Sequence, residues 1–232
     1  MCTNTGGGSN GVGNNGMTVA KTAASQDGTV IDLSDTPLRY GNNDTAISPK
    51  ERAVLEEQEK KRLNAKVEYA YAVDADGNPV GKEKRGGKGA VSVPYNMYVD
   101  GGTLTHNHPR VGDEAGLLGG TFSTADITAF TSRDIRTMRA SASEGTYSIT
   151  KGKDFNARGL NSYRRELERS ANKVAKDKVT SAGERYKRGE ITHQQLMSAA
   201  KKASNEALVS LHNGLIAGQK DYGYTYTLER RS

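Results

Sequence analysis

Two histidines separated by one residue are the clearest sign of chemistry in this chain of 232 residues. His106 and His108 flank Asn107 and are followed by Pro109. Side chains at positions i and i+2 of a β-strand point to the same face, so both imidazoles can reach one metal ion without an unusual backbone. Two imidazoles and one carboxylate suit Zn²⁺, with a fourth position left open. The pair therefore predicts a metal site.

Carboxylates for such a site lie on both sides of the pair. Downstream, Ser123 and Asp126 form a Ser-x-x-Asp motif before an apolar stretch, which also predicts a helix N-cap with an acidic first turn. The two interpretations are compatible. Upstream, Glu68 opens a strand-like segment; it is a candidate for proton transfer, or a charge that protects an edge strand. Glu83 and Glu114 are alternatives to Glu68.

The elements that must position these residues alternate between strand and helix patterns. Apolar alternation and turn residues predict a hairpin and several short strands, and Ser123 opens a helix. The predicted strands are 68–73 with its hairpin partner 80–84, then 90–93, 102–106 and 145–150, with 133–142 a further strand or a loop. This pattern predicts a small α+β domain over residues 67–151.

The flanking segments have other patterns. Residues 1–47 are rich in Gly and Asn and predict a disordered tail, within which residues 30–33 could form a short docking strand. Residues 48–66 predict a surface helix that begins with a capping box at Ser48 and Glu51. Residues 152–221 predict a basic helical hairpin, whose second helix has a capping box at Thr192 and Gln195. Residues 222–232 predict a terminal strand or tail.

Charge and composition narrow the class of protein. Residues 1–152 carry 17 basic and 18 acidic side chains, a net charge of −1. Residues 153–232 carry 16 basic and 9 acidic side chains, a net charge of +7, so the whole chain has a net charge of +6. The basic helices could bind an acidic protein or a nucleic acid, and their leucine stripe could pack on a second copy of the chain. No apolar run approaches the roughly 18 residues of a membrane helix. A single cysteine and no signal pattern favour the cytoplasm.

The motifs together resemble a known family. The run 105–109, Thr-His-Asn-His-Pro, and the run 122–127, Phe-Ser-Thr-Ala-Asp-Ile, resemble the signature of the JAB/MPN (JAMM) metalloproteases. The sequence of the two motifs is similar to that in the bacterial RadC-like and phage-encoded branches of the family. Residues 67–73 resemble the strand that carries the family's glutamate. The likeness covers residues 67–151. The spacer of residues 110–122 is longer than is common in the family.

The resemblance implies a fold and a set of roles. It implies a small mixed sheet with flanking helices, in which His106, His108 and Asp126 bind Zn²⁺. Glu68 would be the general base and Ser123 would stabilise the oxyanion. The expected activity is zinc-dependent hydrolysis of a peptide or isopeptide bond in a protein or peptide substrate, by a phage-encoded protein. The alternatives are a non-catalytic interaction or assembly protein, and a nucleic-acid-associated factor that uses the basic helices.

Overall fold

The structure, a computed structural model, describes residues 22–24, 30–32, 38–39, 46–109 and 117–230. In chain order the strands are β1 (Thr22–Ala24), β2 (Val30–Asp32), β3 (Tyr69–Val73), β4 (Lys84–Arg85), β5 (Gly102–Asn107), β6 (Ile135–Ala142), β7 (Gly145–Lys151) and β8 (Tyr224–Glu229). The helices are α1 (Pro49–Arg62), α2 (Thr124–Ser132), α3 (Ala157–Lys187), α4 (His193–Ala217) and α5 (Gln219–Tyr222). A short 3₁₀ helix spans Tyr95–Met97.

Six strands form the central sheet in the order β4-β3-β5-β6-β7-β8. β5 and β6 are parallel and are joined through α2, whereas every other neighbouring pair is antiparallel. The α+β class with a mixed sheet and flanking helices is therefore confirmed. In such a sheet the carboxyl end of a parallel strand and the start of the following helix lie at one edge, where sites are commonly built. Here that edge joins the end of β5 to the start of α2.

The two faces of the sheet differ in polarity because side chains alternate along each strand. Leu104 on β5, Met138 on β6, Tyr147 on β7 and Tyr226 on β8 are buried on one face. The helices α2, α3 and α4 cover this face and share one hydrophobic core with it. The core extends to Leu215 on α4, so the helical hairpin and the sheet are parts of one folded unit. The boundary predicted at residue 151 does not coincide with an edge of this core.

The opposite face is polar, and α1 covers part of it. Glu51, Leu55 and Glu59 follow one another at intervals of four residues, so they lie on one face of α1, and all three are buried. Glu59 Oε1 accepts hydrogen bonds from Arg139 Nε at 2.8 Å and Thr105 Oγ1 at 2.8 Å. The prediction of a surface helix needs correction for this face, since its carboxylates have partners in the sheet. A charged sequence alone does not reveal those partners.

Three other predictions can be compared with the described residues. The capping boxes that begin α1, α2 and α4 are present. Residues 80–83 and 90–93 form no strand, and β4 is confined to two residues. Much of the predicted disordered tail lies outside the described residues. β2 falls within the short strand predicted at residues 30–33 and pairs antiparallel with β1, whereas the strand β1 and the core position of Leu38 differ from the prediction. Among the described residues, no helix is long and apolar enough to cross a membrane.

Candidate metal centre

The central strand β5 delivers the two histidines. His106 is on the apolar face of the sheet, two residues beyond Leu104, and it is 6% exposed. His108 follows the end of the strand, and its backbone N–H donates to the carbonyl of Ser141 on β6 at 2.8 Å. This bond keeps the chain in line with β6 for one more residue. The two rings consequently meet edge to face, with centroids 4.8 Å apart.

Three side chains converge on one point, as the spacing of the motifs predicts. His106 Nε2 is 2.9 Å from His108 Nε2 and 3.4 Å from Asp126 Oδ1. His108 Nε2 is 3.9 Å from Asp126 Oδ2. One ligand atom from each residue lies within 4.8 Å of the other two. The group His106, His108 and Asp126 can therefore hold a metal ion, whose identity the geometry does not specify.

Asp126 has two roles that share its carboxylate. As the third residue of α2, it caps the helix: Oδ2 accepts hydrogen bonds from Ser123 N at 2.7 Å and Ser123 Oγ at 2.7 Å. In return, Asp126 N donates to Ser123 Oγ at 3.1 Å. Oδ1 is the oxygen nearest to His106. The helix cap thus fixes the carboxylate in the direction that a metal ligand needs, and the two interpretations of the Ser-x-x-Asp motif are indeed compatible.

Each imidazole is also held from the side away from the site. His108 Nδ1 is 2.9 Å from the carbonyl oxygen of Gly120, an arrangement in which Nδ1–H donates and Nε2 keeps its lone pair. The backbone of Arg139 on the neighbouring β6 also contributes to raising the pKa of His106. Metal-binding histidines are typically oriented in this way by backbone carbonyls. The lone pair of His108 faces His106 Nε2, so the space between them requires a proton or a cation.

The charges in the site agree with that requirement. Burial would lower the pKa of His106, but the Asp126 carboxylate and, more weakly, Glu68 raise it above the ordinary value. Burial would raise the pKa of Asp126, but the two histidines and the hydrogen bond from Ser123 hold it well below its usual range. Asp126 therefore stays ionised. A half-buried carboxylate beside two imidazoles favours a bound positive charge.

Glu68 lies on the same cavity as the histidines and Asp126. The cavity has a volume of about 390 Å³. Glu68 directly precedes β3, next to β5, and it is 9% exposed. Of the two alternatives, Glu83 accepts a hydrogen bond from Arg62 Nε at 2.7 Å and does not line this cavity, and Glu114 lies outside the described residues. Of the three glutamates that the sequence offers, Glu68 is therefore the one that the structure places on the cavity of the predicted ligands.

Asn107, between the two histidines, has a positioning role that the motif did not indicate. Its side chain points to the opposite face of β5 and is 3% exposed. Oδ1 accepts a hydrogen bond from Tyr69 N at 2.7 Å, and Nδ2 donates to the carbonyl of Val67 at 3.2 Å. These two bonds hold the backbone on both sides of Glu68. Asn107 therefore helps to fix the distance between Glu68 and the histidine pair, together with the backbone hydrogen bonds from Glu68 N to Gly87 and from Gly86 N to Glu68.

A carboxylate from a distant turn holds the loop behind His108. Glu144 Oε2 accepts a hydrogen bond from Gly119 N at 2.9 Å, and Oε1 accepts one from Gly120 N at 2.7 Å. Tyr147 Oη donates to the same Oε1 at 2.7 Å. Gly120 has φ of +79°, and a Cβ there would lie 2.7 Å from Leu208. Glu144 and this glycine together set the direction of the carbonyl that orients His108. Residues 110–116 of the spacer lie outside the described residues.

The helical hairpin also reaches the centre, although the family resemblance does not include it. The buried Arg164 on α3 donates from Nε at 3.1 Å and Nη2 at 2.8 Å to the carbonyl of Phe122, the residue before Ser123. Glu168, one turn later, accepts a hydrogen bond from Thr124 Oγ1. These contacts fix the start of α2, and with it Ser123 and Asp126. No sequence motif marks them.

The chain has no match among family models, curated proteins or solved structures. The chemistry of the centre must therefore be inferred from its own residues.

Proposed function

We propose that the protein is a zinc-dependent hydrolase of peptide or isopeptide bonds, of the JAB/MPN type. The observation that carries this proposal is the convergence of His106, His108 and Asp126 at the end of β5, beside the carboxylate of Glu68. Two imidazoles and one carboxylate that leave an open side are the ligand set of catalytic rather than structural zinc. A cavity of about 390 Å³ on that open side has room for a segment of polypeptide.

The donor set fits zinc in number and type. Ligands of a tetrahedral zinc at about 2.0–2.2 Å from the ion are roughly 3.3 Å apart. His106 Nε2 is near that distance from His108 Nε2, at 2.9 Å, and from Asp126 Oδ1, at 3.4 Å. The 3.9 Å contact of His108 Nε2 is to the other carboxylate oxygen, Oδ2, so binding through one oxygen would require the His108 ring and the carboxylate to move closer together. The rings are supported by backbone contacts and the carboxylate by a helix cap. Such support holds ligands in place before the ion binds.

Zinc, when bound, would polarise the scissile carbonyl and make a water more acidic. Glu68 would take a proton from the attacking water and deliver it to the leaving nitrogen. The new bond joins the water oxygen to the carbonyl carbon, and the carbon–nitrogen bond breaks to give a carboxylic acid and an amine. A carboxylate acts well in this role within hydrogen-bond reach of the water. Asn107 would keep Glu68 at that position.

Ser123 is proposed as the donor to the developing oxyanion. Its hydroxyl donates to Asp126 Oδ2 at 2.7 Å, and a hydroxyl has a single hydrogen. Ser123 must therefore turn away from Asp126 to donate to an oxyanion, while the Ser123 N–H keeps its own bond to Asp126 Oδ2. The cap can thus hold the carboxylate while the hydroxyl is used elsewhere.

Metal analysis and two substitutions test the proposal. Protein purified without added metal should contain zinc in a one-to-one ratio, as measured by plasma mass spectrometry. His108→Ala should lose the metal because one of three ligands is removed. Glu68→Gln should keep the metal and lose the hydrolysis of fluorescent peptide and isopeptide substrates, by about a hundredfold or more for loss of a general base.

The two variants distinguish the proposal from a non-catalytic role. Zinc that His108→Ala retains would refute the assignment of the centre. A protein that binds zinc and hydrolyses none of a broad set of peptides and isopeptides would be an interaction or assembly protein instead. Turnover that is unchanged in Glu68→Gln would assign the base to another residue.

A further inference from the structure

A second cavity adjoins the metal centre on the side of α3. It has a volume of about 730 Å³ and lies between the start of α2 and the outer face of α3. Glu168 and Asn172 line both this cavity and the one that contains the metal ligands, so the two are adjacent. We call it the α3 groove. Its lining consists of Thr124, Ser162, Arg165, Glu168, Arg169 and Asn172.

The α3 groove is positively charged. Arg165 and Arg169 are exposed, and neither forms an ion pair with any residue that the structure describes. Glu168, the acidic residue between them, accepts a hydrogen bond from Thr124 and forms an ion pair with Arg164 at 3.5 Å. Its charge is thus offset within the protein. The groove is left with two guanidinium groups that face solvent.

Arg164 lines the metal cavity beside the groove and does not add to the net charge of the groove. Its side chain is 3% exposed, and its Nη1 makes no hydrogen bond to any described residue. The same Nη1 lies 3.5 Å from Glu168 Oε2, so the charges of Arg164 and Glu168 offset each other. The metal cavity is also lined by apolar side chains, including Val91 and Val93. A polypeptide in the site would therefore meet apolar side chains in the metal cavity and the exposed Arg165 and Arg169 in the α3 groove.

We propose that the α3 groove binds acidic side chains of the polypeptide substrate, close to the bond that is cleaved. This inference rests on the proposed hydrolase function. Guanidinium groups pair with carboxylates through two parallel hydrogen bonds, and Arg165 and Arg169 are one helical turn apart on the same face. The lining contains no aromatic side chain on which a base could stack, and single-stranded nucleic acids commonly need such a platform. An acidic peptide fits these features better than a nucleic acid.

Fluorescence anisotropy with short labelled peptides tests the proposal. The probes are a peptide of alternating glutamate and alanine, the matching glutamine–alanine peptide, and an oligothymidylate of equal charge. All binding is measured in the zinc-loaded protein that carries Glu68→Gln, so that the probe is not cleaved. The glutamate peptide should bind about tenfold more tightly than the glutamine peptide, as two exposed ion pairs in a groove would give.

A pair of charge reversals locates the binding. Arg165→Glu with Arg169→Glu should abolish the preference for glutamate. The matched control is Lys153→Glu with Lys220→Glu, which changes the net charge equally at two exposed residues outside the groove. The control should keep the preference within about twofold, because distant surface charges are screened by salt.

Three outcomes would overturn the inference: equal binding of both peptides, equal loss in the control, or tighter binding of the oligothymidylate. Zinc content is measured in the same samples and reports separately on the metal centre. Normal zinc without a preference for glutamate would refute the groove alone. A glutamate preference in a protein that binds no zinc would refute the proposed hydrolase function.

Discussion

At the scale of single residues, the centre depends on side chains that hold other side chains. His106 and His108 would bind the metal, whereas Asn107 between them forms hydrogen bonds on the opposite face of β5. Its two hydrogen bonds reach the backbone on either side of Glu68. Residues 106–108 at the end of β5 therefore supply two predicted metal ligands and also support Glu68, which directly precedes the neighbouring strand β3.

Asn107→Ala should separate this support from metal binding. The substitution leaves the N–H of Tyr69 and the carbonyl of Val67, both at half-buried residues, without their partner, which should lower the free energy of unfolding by about 1–2 kcal/mol. Zinc content should be unchanged because the three ligands remain. Hydrolysis should fall by about tenfold because the backbone on both sides of Glu68 loses one of its supports, as assayed by turnover with the same fluorescent substrates.

The control for this prediction is Asn64→Ala, at an exposed residue just after α1. It should change neither stability nor turnover. If Asn107→Ala lost stability but kept full turnover, the asparagine would have a structural role only.

At the scale of elements, the loop behind His108 is fixed by a turn distant in the chain. Glu144, between β6 and β7, accepts backbone hydrogen bonds from Gly119 and Gly120, which are 25 and 24 residues earlier. Gly120 in turn presents its carbonyl to His108. Strand pairing between β5 and β6 brings these parts together. The metal centre thus depends on the register of the sheet as well as on its ligands.

Glu144→Gln tests that dependence with almost no change in shape. Both carboxylate oxygens accept an N–H, and glutamine would place its own NH₂ group against one of them. We expect a loss of about 1–3 kcal/mol in stability and a zinc affinity that is weaker by about tenfold. Competition for zinc with a chromophoric chelator measures the change in affinity.

The control is Glu57→Gln, at an exposed residue of α1, which should change neither the stability nor the zinc affinity. Normal zinc affinity in Glu144→Gln would show that His108 needs no support from this loop.

The sequence predicted some of these features because they are local. The histidine pair, the helix cap at Ser123 and the capping boxes each lie within four residues, so their spacing reveals them. Arg164 contacts Phe122 across 42 residues and Glu144 contacts Gly119 across 25, and no pattern records such pairs. The buried carboxylates of α1 were missed for the same reason. Their partners in the sheet become apparent only when the strands are in register.

At the scale of the whole molecule, the helical hairpin and the last strand complete the sheet domain. His212 on α4 illustrates this packing. Its Nδ1 lies 2.8 Å from Tyr226 Oη on β8, and its Nε2 lies 2.7 Å from the carbonyl of Arg39, while Tyr147 packs edge-on against its ring. Burial lowers the pKa of His212 to about 4, and the more distant charge of Glu144 opposes this only in part.

Stability should therefore depend on pH through His212. In the unfolded chain the pKa of a histidine is about 6.5, so between about pH 6.5 and 4 the unfolded state binds more protons than the folded state. The stabilisation is full above pH 6.5 and is lost as the pH falls toward 4, by about 3 kcal/mol in total. Urea denaturation at pH 7 and pH 4.5 should show a smaller difference for His212→Gln than for the native chain. An equal difference would mean that His212 does not contribute.

Truncation after Lys151 tests whether the sheet domain can fold alone. The deletion removes β8, which pairs with β7 over six residue pairs, and it removes Leu160, Leu215 and Tyr226 from the shared core. Each large buried side chain contributes about 1.5–3 kcal/mol on burial, so the loss exceeds the usual stability of a domain of this size once several are absent. It would also leave β7 as an unprotected edge strand.

We expect the fragment of residues 1–151 to be unfolded or aggregated and to bind no zinc, as judged by circular dichroism and metal analysis. A folded, zinc-binding fragment would instead show that an independent domain lies within residues 1–151, and the hairpin would then be an addition that shapes only the α3 groove.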